Sequence, residues 1–343
     1  MEKTIKKLTD LRGISGFEYM IADEIIKMFS PYCDEIKKDN LGNIIALKKG
    51  KKSNFKIMLE AHCDEIGLMV SKILKDGMLS FVAIGGIDER ILPSSEVIIH
   101  GKKDIKGVIG AKPPHLLSSE EMKKSTKIKD MTIDTGLSYE EVKENIIVGS
   151  PVTLFQSSGE LMNKNYSAKS LDDRMGIGII LEIFKNNYDI DADIYASISV
   201  QEEVGLRGAR VSAFNIEPDM AIAIDVCHGI TPDNSKDAFS LGEGVVISVG
   251  PNVNKNLSDE LLKIAKENDI KTNIEVCPDS TGTDAWAIQV TKTGVATMVL
   301  SIPLKYMHTS VETMNFDDFK ACIKLIDKFL KNSDKITREW LCC

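Results

Sequence analysis

The strongest restriction on the fold of this chain is an interruption. Strands and helices alternate up to about residue 67, give way to short strands and tight turns over 68–166, and resume their alternation at about 167. Strand–helix–strand order predicts a mixed or parallel sheet covered by helices on both faces. Closely spaced short strands bounded by turn residues predict a small barrel or sandwich instead. A chain of 343 residues can hold both. The expected architecture is therefore α/β: residues 1–67 and 167–343 form one discontinuous domain, and 68–166 form a β-rich domain inserted into it.

Ile5, Leu8 and Leu11 recur at three-residue spacing and predict a helix over 3–12. Gly13-Ile14-Ser15-Gly16 breaks it. Ser15 is the expected N-cap of a second helix, with Glu18 as its capping-box partner and Ile21, Ile25 and Met28 buried. Ile44–Leu47 and Phe55–Glu60 read as strands, the second running into Ala61-His62-Cys63-Asp64-Glu65. Ser138 and Glu141 predict another capped helix over 138–145. Beyond 167, a helix apolar on most faces should be buried. Strands follow at 193–200, 220–226, 245–249, 272–276 and 295–300, with helices at 257–268 and 316–332. Gly282-Thr283-Asp284-Ala285 should cap one more helix.

The formal charge is −8, from 43 basic and 51 acidic residues, which argues against a nucleic-acid partner. No run approaches the ~18 consecutive apolar residues of a membrane span, and no secretory start is visible. Neither membrane nor export is expected. Seven scattered cysteines without a Cys-x-x-Cys pair predict reduced thiols in the cytoplasm, with Cys342-Cys343 in a frayed tail.

His62, the Glu202-Glu203 pair, Asp225 and His308 all stand where expected strands end, and Asp172 stands where a loop enters the buried helix. Strand ends are where α/β sheets hold ligands. Imidazole nitrogen with carboxylate oxygen suits Zn²⁺, Co²⁺ or Mn²⁺. Two such ions side by side need a bridging carboxylate, so the inventory fits a five-ligand, two-metal site. Taken singly, each residue has an ordinary reading. His62 serves as a satisfied core histidine; Asp172 or Asp173 caps a helix; Asp225 binds a backbone amide. Glu202 and Glu203 are surface acids on a turn, and His308 is a loop histidine. His100, His115 and His228 lack comparable acid partners and read as structural or surface residues. The joint placement of the candidates at the switch points of one pattern favours a site.

Ala61-His62-Cys63-Asp64-Glu65-Ile66-Gly67, Leu171-Asp172-Asp173-Arg174-Met175-Gly176, Val200-Gln201-Glu202-Glu203-Val204-Gly205-Leu206-Arg207-Gly208-Ala209, Ala223-Ile224-Asp225-Val226, Gly282-Thr283-Asp284-Ala285 and His308-Thr309 follow one another in order. Together they resemble the successive motifs of the M42 metallo-aminopeptidases, the tetrahedral or TET aminopeptidases, also called glutamyl aminopeptidases and, under an older label, cellulases. The resemblance runs nearly end to end. It implies a zinc-peptidase-like catalytic domain that removes N-terminal residues from short peptides with two divalent ions, Zn²⁺ or Co²⁺. His62 and Asp225 would bind one ion, Glu203 and His308 the other, and Asp172 would bridge them through a cis peptide to Asp173. Glu202 would be the general base, and Asp64 would orient His62. The 68–166 insertion would form dimers that build a dodecamer. Three positions depart from the pattern: Cys63 where methionine is common, Lys305 where arginine is usual, and Ser94-Ser95 for a glycine-glutamine pair.

Two other functions use the same residues. A glycoside hydrolase (endoglucanase) would pair Glu202 with a second carboxylate about 5–9.5 Å away and need no metal. A catalytically idle assembly protein would use only the inserted module. One difficulty belongs to the peptidase reading itself. Neighbouring residues of a strand point to opposite faces, so Glu202 and Glu203 reach one site only if the strand ends or twists there.

Overall fold

The computed structural model describes residues 1–342; Cys343 lies outside the described residues. Eight strands form one mixed sheet. Its centre is parallel: β12 (Asp193–Ser199), β3 (Lys56–His62), β13 (Met220–His228) and β16 (Ala296–Leu304). On one flank β2 (Ile44–Lys48) and β1 (Glu35–Lys38) continue antiparallel. On the other, β14 (Val245–Val249) runs against β16 and carries β15 (Thr272–Val276) at the edge.

Both faces are covered, and the strand period sorts the side chains between them. Ile57, Leu59, Met220 and Ile222 join the larger core with helices α1 (Glu2–Asp10), α2 (Tyr19–Phe29), α4 (Leu171–Phe184), α6 (Lys255–Glu267) and α8 (Phe316–Leu330). The intervening Met58 and Ala221 meet Ala209, Ala213 and Ile216 of α5 (Arg207–Ile216) and Ile288 of α7 (Ala285–Gln289). A short α9 (Arg338–Leu341) is the last helix among the described residues. Helix α4 is buried along nearly its whole length, as its all-round apolar sequence requires.

Between β3 and α4 lies a closed antiparallel barrel. It is built from β4 (Gly67–Ile73), β5 (Leu79–Ile84), β6 (Glu96–His100), β7 (Asp104–Ile109), β8 (Ile133–Asp134) and β9 (Pro151–Leu154). It has its own core, including Leu68, Val70, Phe81, Val97, Ile99 and Val152. Helix α3 (Tyr139–Asn145) starts with the expected Ser138–Glu141 capping box. The barrel strands stop at Leu154. Of the next two strands, β10 (Gly159–Glu160) pairs with β11 (Asn165–Ala168), and β11 pairs with β17 (Glu312–Asn315) of the α/β body.

A buried ion pair closes the neck where the chain leaves for the barrel and returns. Lys169 Nζ lies 2.7 Å from Glu65 Oε2. Ser170 Oγ also donates to Glu65, and Gly13 N donates to its other oxygen at 3.0 Å. Arg174 completes the cluster, donating to Leu8 O at 3.0 Å and Gly13 O at 3.3 Å.

One cap differs from expectation. Helix α2 begins at Tyr19 with Glu18 as its N-cap and no capping side chain. Ser15 donates instead to Asp64 Oδ2 at 2.5 Å, a partner 49 residues away. Among the described residues no helix is long and apolar enough to cross a membrane.

Candidate active site

The parallel strands β3, β12, β13 and β16 end along one edge. His62 closes β3, Asp225 lies near the end of β13, and Glu202-Glu203 and His308 follow β12 and β16. Asp172 enters from α4, which crosses β3. This is the crevice outside the carboxyl ends of the strands.

The loop after β12 owes its path to three buried or half-buried polar residues. Asn43 accepts from Val200 N and donates to Gly208 O, both at 3.0 Å, which pins the two ends of the loop. Gln201 takes a left-handed φ of +58° while its amide donates to Glu18 Oε1 at 2.9 Å. The chain has thus left the pleat before Glu202. Asp64 then accepts the next two amides, Glu202 N at 3.0 Å on Oδ1 and Glu203 N at 3.2 Å on Oδ2. Strand alternation no longer applies, and both carboxylates face the same site.

At the start of α4, Ser170 has φ +56° and the Asp172–Asp173 peptide is cis. Neither aspartate has helical backbone angles. The capping role falls to Asp173, whose Oδ1 accepts Gly176 N at 3.0 Å. Asp172 is left to the site. Its Oδ1 lies 3.0 Å from His62 Nε2 and its Oδ2 lies 3.4 Å from His308 Nε2. Glu312, fully buried, accepts Asp172 N at 3.1 Å and His308 N at 2.9 Å, so one acid sets the backbone of both.

Three groups of ligand atoms gather within 4.8 Å of one another: His62, Asp172 and Asp225; Asp172, Glu203 and His308; and His62, Glu202 and Glu203. The first two share Asp172. These are nitrogen and oxygen donors of the kind that hold Zn²⁺ or Co²⁺.

The electrostatics also favour cations. Burial pushes the Glu202 carboxyl up to about 10, helped by the Asp225, Asp284 and Glu203 carboxyls and opposed by His62. Burial, then Asp172, pushes Asp225 up to about 8. Burial likewise raises Glu203. For Asp172 burial works the same way, but hydrogen bonds from His308 and His62 overcome it and hold this carboxyl low. His308 is driven up to about 11 by Asp172 and Glu203. Burial pulls His62 down, but Asp172 and Asp64 outweigh it and leave the ring well above its ordinary value. Without metal, Glu202, Glu203 and Asp225 are pushed toward their neutral forms and the two imidazoles toward their charged ones, because buried like charges need a counter-charge. Divalent cations meet that need, and the residues fit them.

All seven residues singled out by sequence for this site converge here: His62, Asp64, Asp172, Glu202, Glu203, Asp225 and His308. Asp64, expected to orient His62, has its short contacts elsewhere. Its carboxylate stands 3.6 Å from His62 Nδ1, while its main-chain oxygen is closer at 3.2 Å. The carboxylate's short contacts are with Ser15 and the amides of Glu202 and Glu203. The other histidines stay apart. His100 is held by Asp104 and Thr153 in the barrel, and His115 and His228 are exposed. Cys63 points into the core with its thiol pushed up by burial, and it belongs to none of the three groups.

Sequence reasoning passed over Glu60, Glu312 and the carboxyl role of Asp284. Glu60 and Asp284 are a buried acid pair behind the site, with Ser199 Oγ donating to Asp284 Oδ2 at 2.7 Å. The run Ile57-Met58-Leu59-Glu60-Ala61 carried the signal, since an acid inside an apolar parallel strand must be buried. Nothing local marked Ser15 or Glu312.

The sequence model of the M42 glutamyl aminopeptidases matches residues 42–325. A lysyl aminopeptidase of Pyrococcus furiosus is 39% identical over 334 residues, 95% of this chain and 96% of that one. Among solved structures, an aminopeptidase of Desulfurococcus kamchatkensis aligns with a TM-score of 0.90 at 34% identity, over 99% of this chain and 96% of its own. A TET peptidase of Pyrococcus horikoshii, which can assemble into a tetrahedron or a large octahedral shell, aligns with a TM-score of 0.85 at 34% identity, over 96% and 99%.

Proposed function

The chain belongs to the M42 glutamyl aminopeptidase family, and from that premise we propose that it cleaves N-terminal residues from short peptides with two divalent ions at the strand edge. It is an aminopeptidase, a peptide-bond hydrolase. His62 and Asp225 would hold one ion, Glu203 and His308 the other, and Asp172 would serve both. The observation that carries this reading is the position of Asp172, with one oxygen toward each histidine and a share in both ligand groups.

When bound, the ions supply Lewis acidity, which lowers the pKa of a water and polarises the scissile carbonyl. Glu202 accepts the proton of the attacking water on its carboxylate and returns it to the leaving amine. That role requires an ionised Glu202; burial works against it, and neighbouring positive charge works for it. Asp64 fixes the base and its neighbour through their amides. The surrounding carboxyls offer the substrate's free α-amine a negative environment.

Metal analysis paired with hydrolysis tests the reading. Two ions per subunit and turnover of aminoacyl-anilides, lysyl among them, are expected with Zn²⁺ or Co²⁺ supplied. Glu203→Ala and His308→Ala should lose metal; unchanged stoichiometry in either removes it from the ligand set. The glycoside-hydrolase alternative has no support from the aminopeptidase relatives, and a complete set of ligands and base argues against an idle assembly protein. TET relatives are oligomeric, and we propose the same dimer-to-dodecamer assembly here, in the cytoplasm that its scattered thiols suit.

A further inference from the structure

The double glycine that ends β5 approaches the site from the barrel. A Cβ added at Gly86 would lie 3.0 Å from His308 Nδ1 and 3.3 Å from its Cε1. A Cβ at Gly85, where φ is +79°, would lie 2.8 Å from Ile66 Cγ2 and 3.4 Å from Glu203 Cβ. The turn therefore rests directly on Glu203 and His308, the two residues assigned to one ion.

Contact is also polar. The Gly86 carbonyl oxygen lies 3.0 Å from His308 Nδ1. A carbonyl only accepts, so Nδ1 carries a hydrogen and Nε2 is the nitrogen turned toward the acids. Nε2 is the atom 3.2 Å from Glu203 Oε1 and 3.4 Å from Asp172 Oδ2. His308 needs this support more than His62 does. It sits on a loop at φ +60° and is 32% exposed, whereas His62 lies within β3 and is bonded to Asp64 and Asp172 of the α/β body.

We propose that Gly86 is a positioning residue for the reaction: the Gly85–Gly86 turn of the barrel sets the ring of His308, so one half of the metal centre depends on the barrel and the His62–Asp225 half does not. The proposal rests on the two-ion reading above. It gives the inserted barrel a part in the chemistry in addition to assembly. It also explains the glycine at 86, since a Cβ there would press on the His308 ring.

The experiment is a metal titration of the full-length, metal-stripped protein with Co²⁺, followed by its visible absorption and by elemental analysis. Wild type should take up two ions per subunit. Gly86→Ala should keep one ion at wild-type affinity and bind the other about 10–100-fold more weakly, the usual effect of disturbing a partner of a ligating histidine. Gly110→Ala, a barrel glycine with nothing within 4 Å of its added Cβ, should titrate as wild type. Because Gly86 acts through His308, adding Gly86→Ala to His308→Ala should change nothing further, and that comparison survives even if the single variant folds poorly. A Gly86→Ala titration that superimposes on wild type, equal weakening of both ions, or an additive effect in the His308→Ala background overturns the role of Gly86 alone. Uptake of a single ion by wild type overturns the two-ion reading and this proposal with it.

Discussion

Two buried polar clusters stand side by side at the start of α4. One is the neck, where Glu65 meets Lys169 and Arg174; all three are less than a tenth exposed. The other is the strand-edge site, where the carboxyls far outnumber His62 and His308. Burial opposes charge on Glu65, but Lys169 and Arg174 overcome it and hold that carboxyl below its ordinary value. In the site, burial wins at Glu202, Asp225, Glu203 and Glu312. In the neck Glu65 finds its counter-charges in Lys169 and Arg174, although burial draws the Lys169 ammonium below its ordinary value. In the site only His62 and His308 face the raised carboxyls, and that shortage of counter-charge sets the two clusters apart.

The largest expected effect is on the strand-edge site. Stripping metal with a chelator should abolish hydrolysis of aminoacyl-anilides, and Zn²⁺ or Co²⁺ should restore it; activity that survives full metal removal would break the contrast at once. Next, Glu202→Gln should lower kcat by roughly 10²–10⁴-fold, the range of a general acid–base contribution, with metal content unchanged. Near-normal turnover in that variant would remove Glu202 from its role.

The neck predicts the opposite pattern. Lys169→Met strands a buried Glu65 and should cost about 3–5 kcal/mol, read from urea unfolding, while the folded protein keeps its metal stoichiometry. Metal loss without a stability change would show that the neck belongs to the site.

The smallest effect concerns pH. In metal-free protein the Asp225 and Glu202 carboxyls are raised to about 8 and about 10, and His308 to about 11. A group raised in the folded state contributes stability that is fully present below its unfolded value and is lost as pH rises through its folded one. Melting temperatures of the metal-free protein should therefore fall as pH rises from about 5 toward 8 and beyond. The loaded protein should lack most of that slope, and equal slopes in both forms would remove the charge deficit from the account.

Much of this was legible in the chain. The interrupted strand–helix alternation marks the sheet and the barrel, and the candidate ligands are marked because each stands at the end of an element. Partners distant in sequence are not legible. Ser15 looked like a helix cap because Glu18 follows it at capping-box spacing, yet its bond is to Asp64. Glu202 and Glu203 looked opposed because a strand alternates; the strand in fact ends at Ser199, and Asp64 and Glu18 draw the next amides out of the pleat. Local pattern carries propensity, whereas these outcomes depend on which distant side chain arrives.

The neck has one more consequence. Glu65 and Lys169 are 104 residues apart along the chain yet in contact, so they close the barrel segment as a clasp closes a loop of string. The entropic cost of such a loop grows only with the logarithm of its length, so residues gained or lost beyond the clasp hardly change it. His62 and Asp172 lie three residues from either jaw. Provided the clasp and the Gly85–Gly86 turn are kept, the segment is free to lengthen, shorten or change its outer surface over evolutionary time, while the distance between those two side chains stays fixed.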